Sequence, residues 1–196
     1  PGRPRIGLCR TTHWHEAEPC SQQAVERAAA DLAAAGYRVE EIDLPTEFDG
    51  IEDAFRVISN YEGKQAMAED FRLHLDRMNG WMRETAESAW SREDYEKALG
   101  RAAAARRALE GVFDEYPLLL TPATAGEAPA DLENVSASSF NRLWTLMHGP
   151  TITLPAGTGP NGMPVGIQLA ARPGRDGALI SAAGPIAEIV GTHSGP

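Results

Sequence analysis

Three short pieces decide how this chain folds: Leu118-Leu-Leu-Thr-Pro-Ala-Thr124, Leu143-Trp-Thr-Leu-Met-His-Gly-Pro-Thr-Ile-Thr-Leu-Pro-Ala-Gly157 and Gly162-Met-Pro-Val-Gly-Ile-Gln-Leu-Ala170. The apolar run at 118–120 is short and stops at Thr121-Pro122, which suits a buried strand. Two alternating strands follow. In the first, Ile152 and Leu154 take one face while Thr151 and Thr153 take the other; in the second, Val165, Ile167 and Leu169 oppose Gly166, Gln168 and Ala170. Between them Gly157-Thr-Gly-Pro-Asn-Gly162 is dense in residues that turn the chain. The pattern is a β-hairpin with one apolar face and one small, polar face, and the polar face predicts room for close approach of a backbone or ligand.

Outward from the hairpin, the rest of the chain reads as strands and helices in turn. Arg5 to Arg10 suits a buried parallel strand, and Val25, Ala28, Leu32 and Ala35 recur at helical spacing before Gly36. Tyr37 to Leu44 returns as a strand, so the opening is a βαβ unit with parallel strands. The middle is helical. Ile51, Phe55, Ile58 and Tyr61 form one stripe, and a second segment runs from Ala68 to about Met78, ending near Asn79-Gly80. Ser91-Arg-Glu-Asp94 resembles a capping box and opens a helix whose buried edge is Tyr95, Leu99, Ala102, Leu109 and Phe113. Phe140, Leu143, Trp144 and Met147 space as a short amphipathic helix stopped by Gly149-Pro150. Asp176 is positioned to cap a last helix with Leu179, Ile180, Ala183, Ile186 and Ile189 inward. The expected fold is α/β: a mixed sheet flanked by helices, with an all-helical insertion at about 49–115.

Composition narrows the function. The chain has 196 residues, 42% hydrophobic and 23% charged, which is ordinary for one globular core. Its net charge is −10, and Arg101, Arg106 and Arg107, the densest basic group, lie in an Ala-rich helix. Nucleic acid is therefore not an expected partner. No apolar run approaches the roughly 20 residues a membrane helix needs, so no membrane partner is expected either. Cys9 and Cys20 are the only cysteines and form no Cys-x-x-Cys motif, which fits a reducing cytoplasm. The opening Pro1-Gly-Arg-Pro, followed at once by a strand, reads as a chain cut from something longer.

Several chemical signals are weak. His13-Trp-His15, with Cys9 and Glu16 nearby, does not satisfy His-Glu-x-x-His, so no metal is expected. Gly157-x-Gly159-x-x-Gly162 matches a dinucleotide fingerprint as a string, but it links two strands and opens no helix. No cofactor is expected. Ser136, Ser138 and Ser139 precede a helix and read as N-cap candidates. The substrate-binding candidates are Thr121 and Thr124, at the end of a strand, and Asn141, Trp144, Thr145 and His148, spaced three, four and seven on one helical face. Trp and His offer an aromatic wall, and Asn and Thr offer hydrogen bonds to an amide or its acyl chain. Set against this are Trp144 as core and Asn141 as a surface residue. His148 is also of a residue type that can serve as a general acid or base.

The motifs Leu120-Thr-Pro-Ala-Thr124, Pro150-Thr-Ile-Thr-Leu-Pro-Ala-Gly157 and Gly162-Met-Pro-Val-Gly-Ile-Gln-Leu169, with the opening Pro4-Arg-Ile-Gly-Leu-Cys-Arg10, resemble the later half of the amidase signature family. These are serine amidases with a Ser-cisSer-Lys triad. The resemblance spans nearly the whole chain and implies the C-terminal portion of an amidase domain over 1–196. It implies a small-molecule amide substrate, carbon–nitrogen bond hydrolysis and no cofactor, with the region around the six candidates lining the acyl cleft opposite the nucleophile. The family often has Gly where His148 stands. Its helical insertion shapes the substrate channel and, in some members, a homodimer surface. The triad itself has no counterpart here: Lys64 and Lys97 are the only lysines, and there is no Gly-Gly-Ser-Ser, Gly-x-Ser-x-Gly or Ser-x-x-Lys. No residue of this chain is thus a catalytic candidate, and the expected partner is the N-terminal catalytic portion of the same protein. The rival readings are a component of the amidotransferase A type or the allophanate-hydrolase type, and a non-catalytic ligand-binding or scaffolding module.

Overall fold

The computed structural model of the chain describes residues 2–130 and 138–191. Two compact units divide it, one made of Pro1–Pro45 with Ala108–Pro196 and the other of Thr46–Arg107.

The first unit is built on a five-stranded sheet. Its strands are β1 (Ile6–Cys9), β2 (Val39–Ile42), β3 (Leu118–Pro122), β4 (Thr151–Thr158) and β5 (Pro164–Ala171), in the order β2-β1-β3-β5-β4. β1 is parallel to both β2 and β3, while β5 is antiparallel to β3 and β4, so the sheet is mixed. Helix α1 (Pro19–Ala34) starts with Pro19 in its first turn, where a missing N–H costs nothing, and feeds β2. On one face of the sheet, Ile6, Leu8, Leu118, Leu120, Ile167 and Leu169 pack against Val25, Ala28 and Leu32 of α1 and against the final helix α7 (Asp176–Val190). Each such side chain contributes about 1.5–3 kcal/mol when fully buried. Leu119, Thr121 and Gln168 belong to the opposite face, as the strand alternation requires.

The second unit is helical: α2 (Ile51–Ala66), α3 (Ala68–His74), α4 (Gly80–Glu87) and the first part of α5 (Arg92–Glu115). The capping box forms as read. Ser91 Oγ accepts the Asp94 amide at 3.1 Å, and Asp94 Oδ2 accepts the Ser91 amide at 3.0 Å. Tyr61 and Tyr95 stack with ring centroids 4.4 Å apart. The boundary of this unit falls inside α5, so the last turns of that helix belong to the sheet unit.

Four local expectations need correction. Asn79 does not end a helix; its side chain accepts the Met82 amide at 3.0 Å and caps α4, because Asn serves either terminus. The buried stripe of α5 is Ala98, Ala102, Ala105, Leu109 and Phe113, leaving Tyr95 and Leu99 half-buried. In α7 the buried stripe is Leu179, Ala183, Ile186 and Val190, and Ile180 is 65% exposed one position off it. Asp176 lies inside the first turn of α7, whose N-cap is Arg175.

Candidate functional site

The candidate residues gather where β3 ends. Thr121 is inside β3, fully buried, with Oγ1 donating to its neighbour's carbonyl at 3.2 Å. Thr124 lies in the following loop, which hydrogen bonds fasten to the start of α1. Ser21 Oγ donates to the Thr124 carbonyl at 3.0 Å, the Glu18 amide donates to Ala125 at 2.6 Å, and Thr124 Oγ1 donates to Gly126 at 2.9 Å.

Helix α6 (Ser139–Met147) supplies the rest. Phe140, Leu143, Trp144 and Met147 are its buried side, so Trp144 is a core residue, buried at the border of the face that carries Asn141, Thr145 and His148. Those three are exposed. Thr145 Oγ1 donates back to the Asn141 carbonyl at 3.0 Å, a local bond within the helix. His148 has left the helix: it sits at the C-cap with φ +59°, in the left-handed region, where its amide reaches the Thr145 carbonyl at 3.2 Å. A left-handed C-cap is a position that glycine fills without steric cost. Ser138 occupies the N-cap without a capping bond, its Oγ accepting from Arg142 Nε at 3.2 Å instead; Ser136 lies outside the described residues.

Sequence reasoning missed Gln168 as a functional candidate. It is 2% exposed, stands opposite Thr121 on β3 and Thr153 on β4, and its Nε2 donates to Asn141 Oδ1 at 2.7 Å. Asn141 Nδ2 faces the Ala123 carbonyl at 3.5 Å, and this sets the orientation of both amides. The free atom is then Gln168 Oε1, a buried acceptor with no hydrogen-bond partner among the described residues; Trp144 Nε1 is a buried donor in the same condition. A buried amide between Ile167 and Leu169 was the available signal, since such a group needs partners. The expected room on this face is smaller than the small residues suggest. A Cβ at Gly166 would lie 2.8 Å from Thr153 Cγ2 and 3.2 Å from the Leu154 carbonyl, so the hairpin itself fills that space.

Glu127 is a second residue the sequence did not single out. Its carboxylate accepts the Asn161 amide at 3.0 and 3.1 Å, Asn161 Nδ2 at 2.8 Å and the Met163 amide at 2.8 Å, holding the β4–β5 turn. A Cβ at Gly159 would meet the Glu127 carboxyl carbon, so a side chain there would push the carboxylate off these donors. Burial works to raise the carboxyl, yet these N–H donors outweigh it and hold Glu127 below the usual carboxylate range. Nearby, the hydroxyl of Ser139 and then His13, whose Nδ1 is 2.7 Å from Glu16 Oε1, hold the Glu16 carboxyl low. Cys9 is buried, and burial pushes its thiol up to about 12, so it is no nucleophile. Among the described residues, no group of three or more His, Cys, Asp or Glu is placed to hold a metal, and no helix is long and apolar enough to cross a membrane.

The two lysines are both in the helical unit and both engaged. Lys64 Nζ donates to the Ser88 carbonyl at 2.6 Å, and Lys97 Nζ lies 2.6 Å from Glu93. At the end of the sheet, hydrogen bonds among Asn141, Gln168, Ser21 and the Thr124 loop hold these polar groups in fixed positions.

The family model described as Amidase matches residues 1–180. The chain is similar to 2-amino-5-chloromuconic acid deaminase of Comamonas testosteroni, 28% identical over 205 residues that cover 95% of this chain and 43% of that protein. It is also similar to the A-type component of glutamyl-tRNA(Gln) amidotransferase from Lachnospira eligens, 26% identical and covering 84% of this chain and 41% of that one. A crystal structure of an amidase superposes with a TM-score of 0.78 at 23% identity, over 95% of this chain and 46% of that one, a likeness of fold. The chain thus spans less than half the length of the curated relatives it matches.

Proposed function

The chain belongs to the amidase family, and from that premise we propose that it supplies the scaffold and one substrate-pocket wall of an enzyme hydrolysing carbon–nitrogen amide bonds. The observation that carries this reading is the family match over residues 1–180, which includes every candidate site residue. Residues 1–196 then form the C-terminal portion of one amidase domain, acting in the cytoplasm on a small-molecule amide. Nucleophile, base and oxyanion donors come from the N-terminal portion of the same protein. The role assigned to this chain is orientation: Asn141, held by Gln168, and Thr124, held by Ser21, present fixed polar groups beside the substrate, with Thr145 and His148 along the same edge. Thr121 and Trp144 support that wall from within the core.

Supplying the 196-residue chain with a panel of primary amides and measuring ammonia release tests the division of labour. No turnover is expected from the chain alone, and turnover should appear in the full-length gene product. Steady hydrolysis by the isolated chain would sink the proposal. An amidotransferase A-type role is the second reading, supported by the similarity to the Lachnospira protein. Co-purification of the full-length product with a second polypeptide, and ammonia transfer in place of release, would favour it.

A further inference from the structure

A different concave site lies at the opposite end of β3 from Thr121. Its floor is apolar and drawn from four elements: Phe113 of α5, Leu118 of β3, Ala171 of β5 and Leu179 of α7, all buried. The cavity measures about 450 Å³, within the range of small-molecule sites. Two guanidinium groups, Arg172 and Arg175, stand at its wall.

The two arginines differ in what they have left to give. Arg172 Nη1 lies 2.5 Å from Glu110 Oε2, and Nη2 donates to Asp114 Oδ1 and to the Glu110 carbonyl. Its fork is engaged, and in engaging it neutralises the acid on the cavity wall, Asp114. The Arg175 guanidinium has no hydrogen bond or ion pair among the described residues. A ligand entering this cavity therefore meets a hydrocarbon floor and one uncommitted fork of planar N–H donors. Among the described residues the one carboxylate on the wall, Asp114, is already paired with Arg172, and a neutral hydrocarbon leaves the Arg175 fork unused.

We propose that this cavity binds a small organic monocarboxylate, its alkyl or aryl body on the floor and its carboxylate paired with Arg175. The planar fork of arginine matches the two oxygens of a carboxylate, whereas a hydroxyl offers it one acceptor. This inference stands apart from the amide-hydrolysis reading, since none of its residues belongs to the wall around Asn141.

The test is a ¹H–¹⁵N NMR titration of the full chain with phenylacetate, run beside 2-phenylethanol, which has the same body without the charge. Phenylacetate should shift the amides of Phe113, Leu118, Ala171 and Leu179 as one saturable set. Both 2-phenylethanol on the parent chain and phenylacetate on Arg175→Met should bind at least about tenfold more weakly, the loss expected for a charge-assisted hydrogen bond. Arg175 is exposed and free of side-chain partners, so its replacement by Met leaves the fold intact. Ala182→Phe, which fills the cavity from α7, should abolish the shifts while Arg175 is still present. Equal affinity for the acid and the alcohol, an Arg175→Met chain that binds as the parent does, or shifts centred elsewhere would each overturn the proposal.

Discussion

The apolar face of the sheet and the polar rim at the end of β3 are held by opposite means. On the apolar face Ile6, Leu120, Ile167 and Leu169 are sealed beneath α1 and α7 by packing that has no preferred direction. At the rim the chain is held by individual hydrogen bonds: Gln168 to Asn141, Ser21 to the Thr124 carbonyl, and Glu127 to the amides of Asn161 and Met163. The first arrangement resists loss of volume. The second specifies geometry, as the substrate wall proposed above would require, and it leaves two buried polar atoms, Gln168 Oε1 and Trp144 Nε1, without partners among the described residues.

The largest effect should come from the packed face. Ile167→Ala removes methyl groups from a fully buried site and should cost about 2–5 kcal/mol, read as a lower urea midpoint at unchanged slope. A loss comparable to a surface substitution would mean that the sheet does not bear on α1 and α7 as described.

Glu127→Gln comes next, and it probes the rim through its charge. A glutamine offers one acceptor oxygen where the carboxylate offers two, and it turns an NH₂ group toward amide donors. The Glu127 carboxyl is held below its ordinary value, so its stabilisation is present above the unfolded carboxylate pKa of about 4.3 and is lost as pH falls through the folded pKa. The parent chain should therefore exceed Glu127→Gln in thermal midpoint near neutrality, and the gap should close as the solution is acidified below about pH 4. A gap independent of pH would show that shape, and not charge, holds the hairpin turn.

His148→Gly should raise stability by up to about 1 kcal/mol, because glycine adopts the left-handed conformation without the steric cost a side chain carries. A differential scanning measurement checks it, and a fall in midpoint would mean that the imidazole contributes contacts outweighing its strain. Smallest of all should be Gln168→Met. It gives up one hydrogen bond and also removes an unpartnered buried acceptor, so the two terms nearly cancel and the urea midpoint should barely move. Were it to cost as much as Ile167→Ala, the distinction between the face and the rim would fail.

Much of the fold was legible because its signals are local. The 2-residue alternation of 151–154 and 165–170 assigns both strands and their faces, and the Ser91–Asp94 box marks the start of α5 within one residue. Local signals also explain the misreadings. Asn79-Gly80 suits the end of one helix as well as the start of the next, and Ile180 is apolar but one position off the stripe set by Leu179 and Ala183. The candidate site was legible in part. Its place at the end of β3 and on α6 followed from the motifs, but the expected single face of α6 divides into exposed Asn141, Thr145 and His148 and buried Trp144. Gln168 and Glu127 went unread because their partners are 27 and 34 to 36 positions away in the chain.

The sequence by itself determined the α/β class, the helical middle, the hairpin and the family, since periodicity, caps, turns and spaced Gly and Pro positions all act over a few residues. Only the tertiary structure decided which polar groups meet. Asn141 reaching Gln168, Glu127 entering the turn of the hairpin, and Arg175 standing uncommitted beside Leu179 all depend on segments brought together by burial of the apolar face. Hydrophobic burial has no direction and can be read as a pattern; hydrogen bonds and ion pairs act over about 3 Å and exist only once the chain has closed on itself.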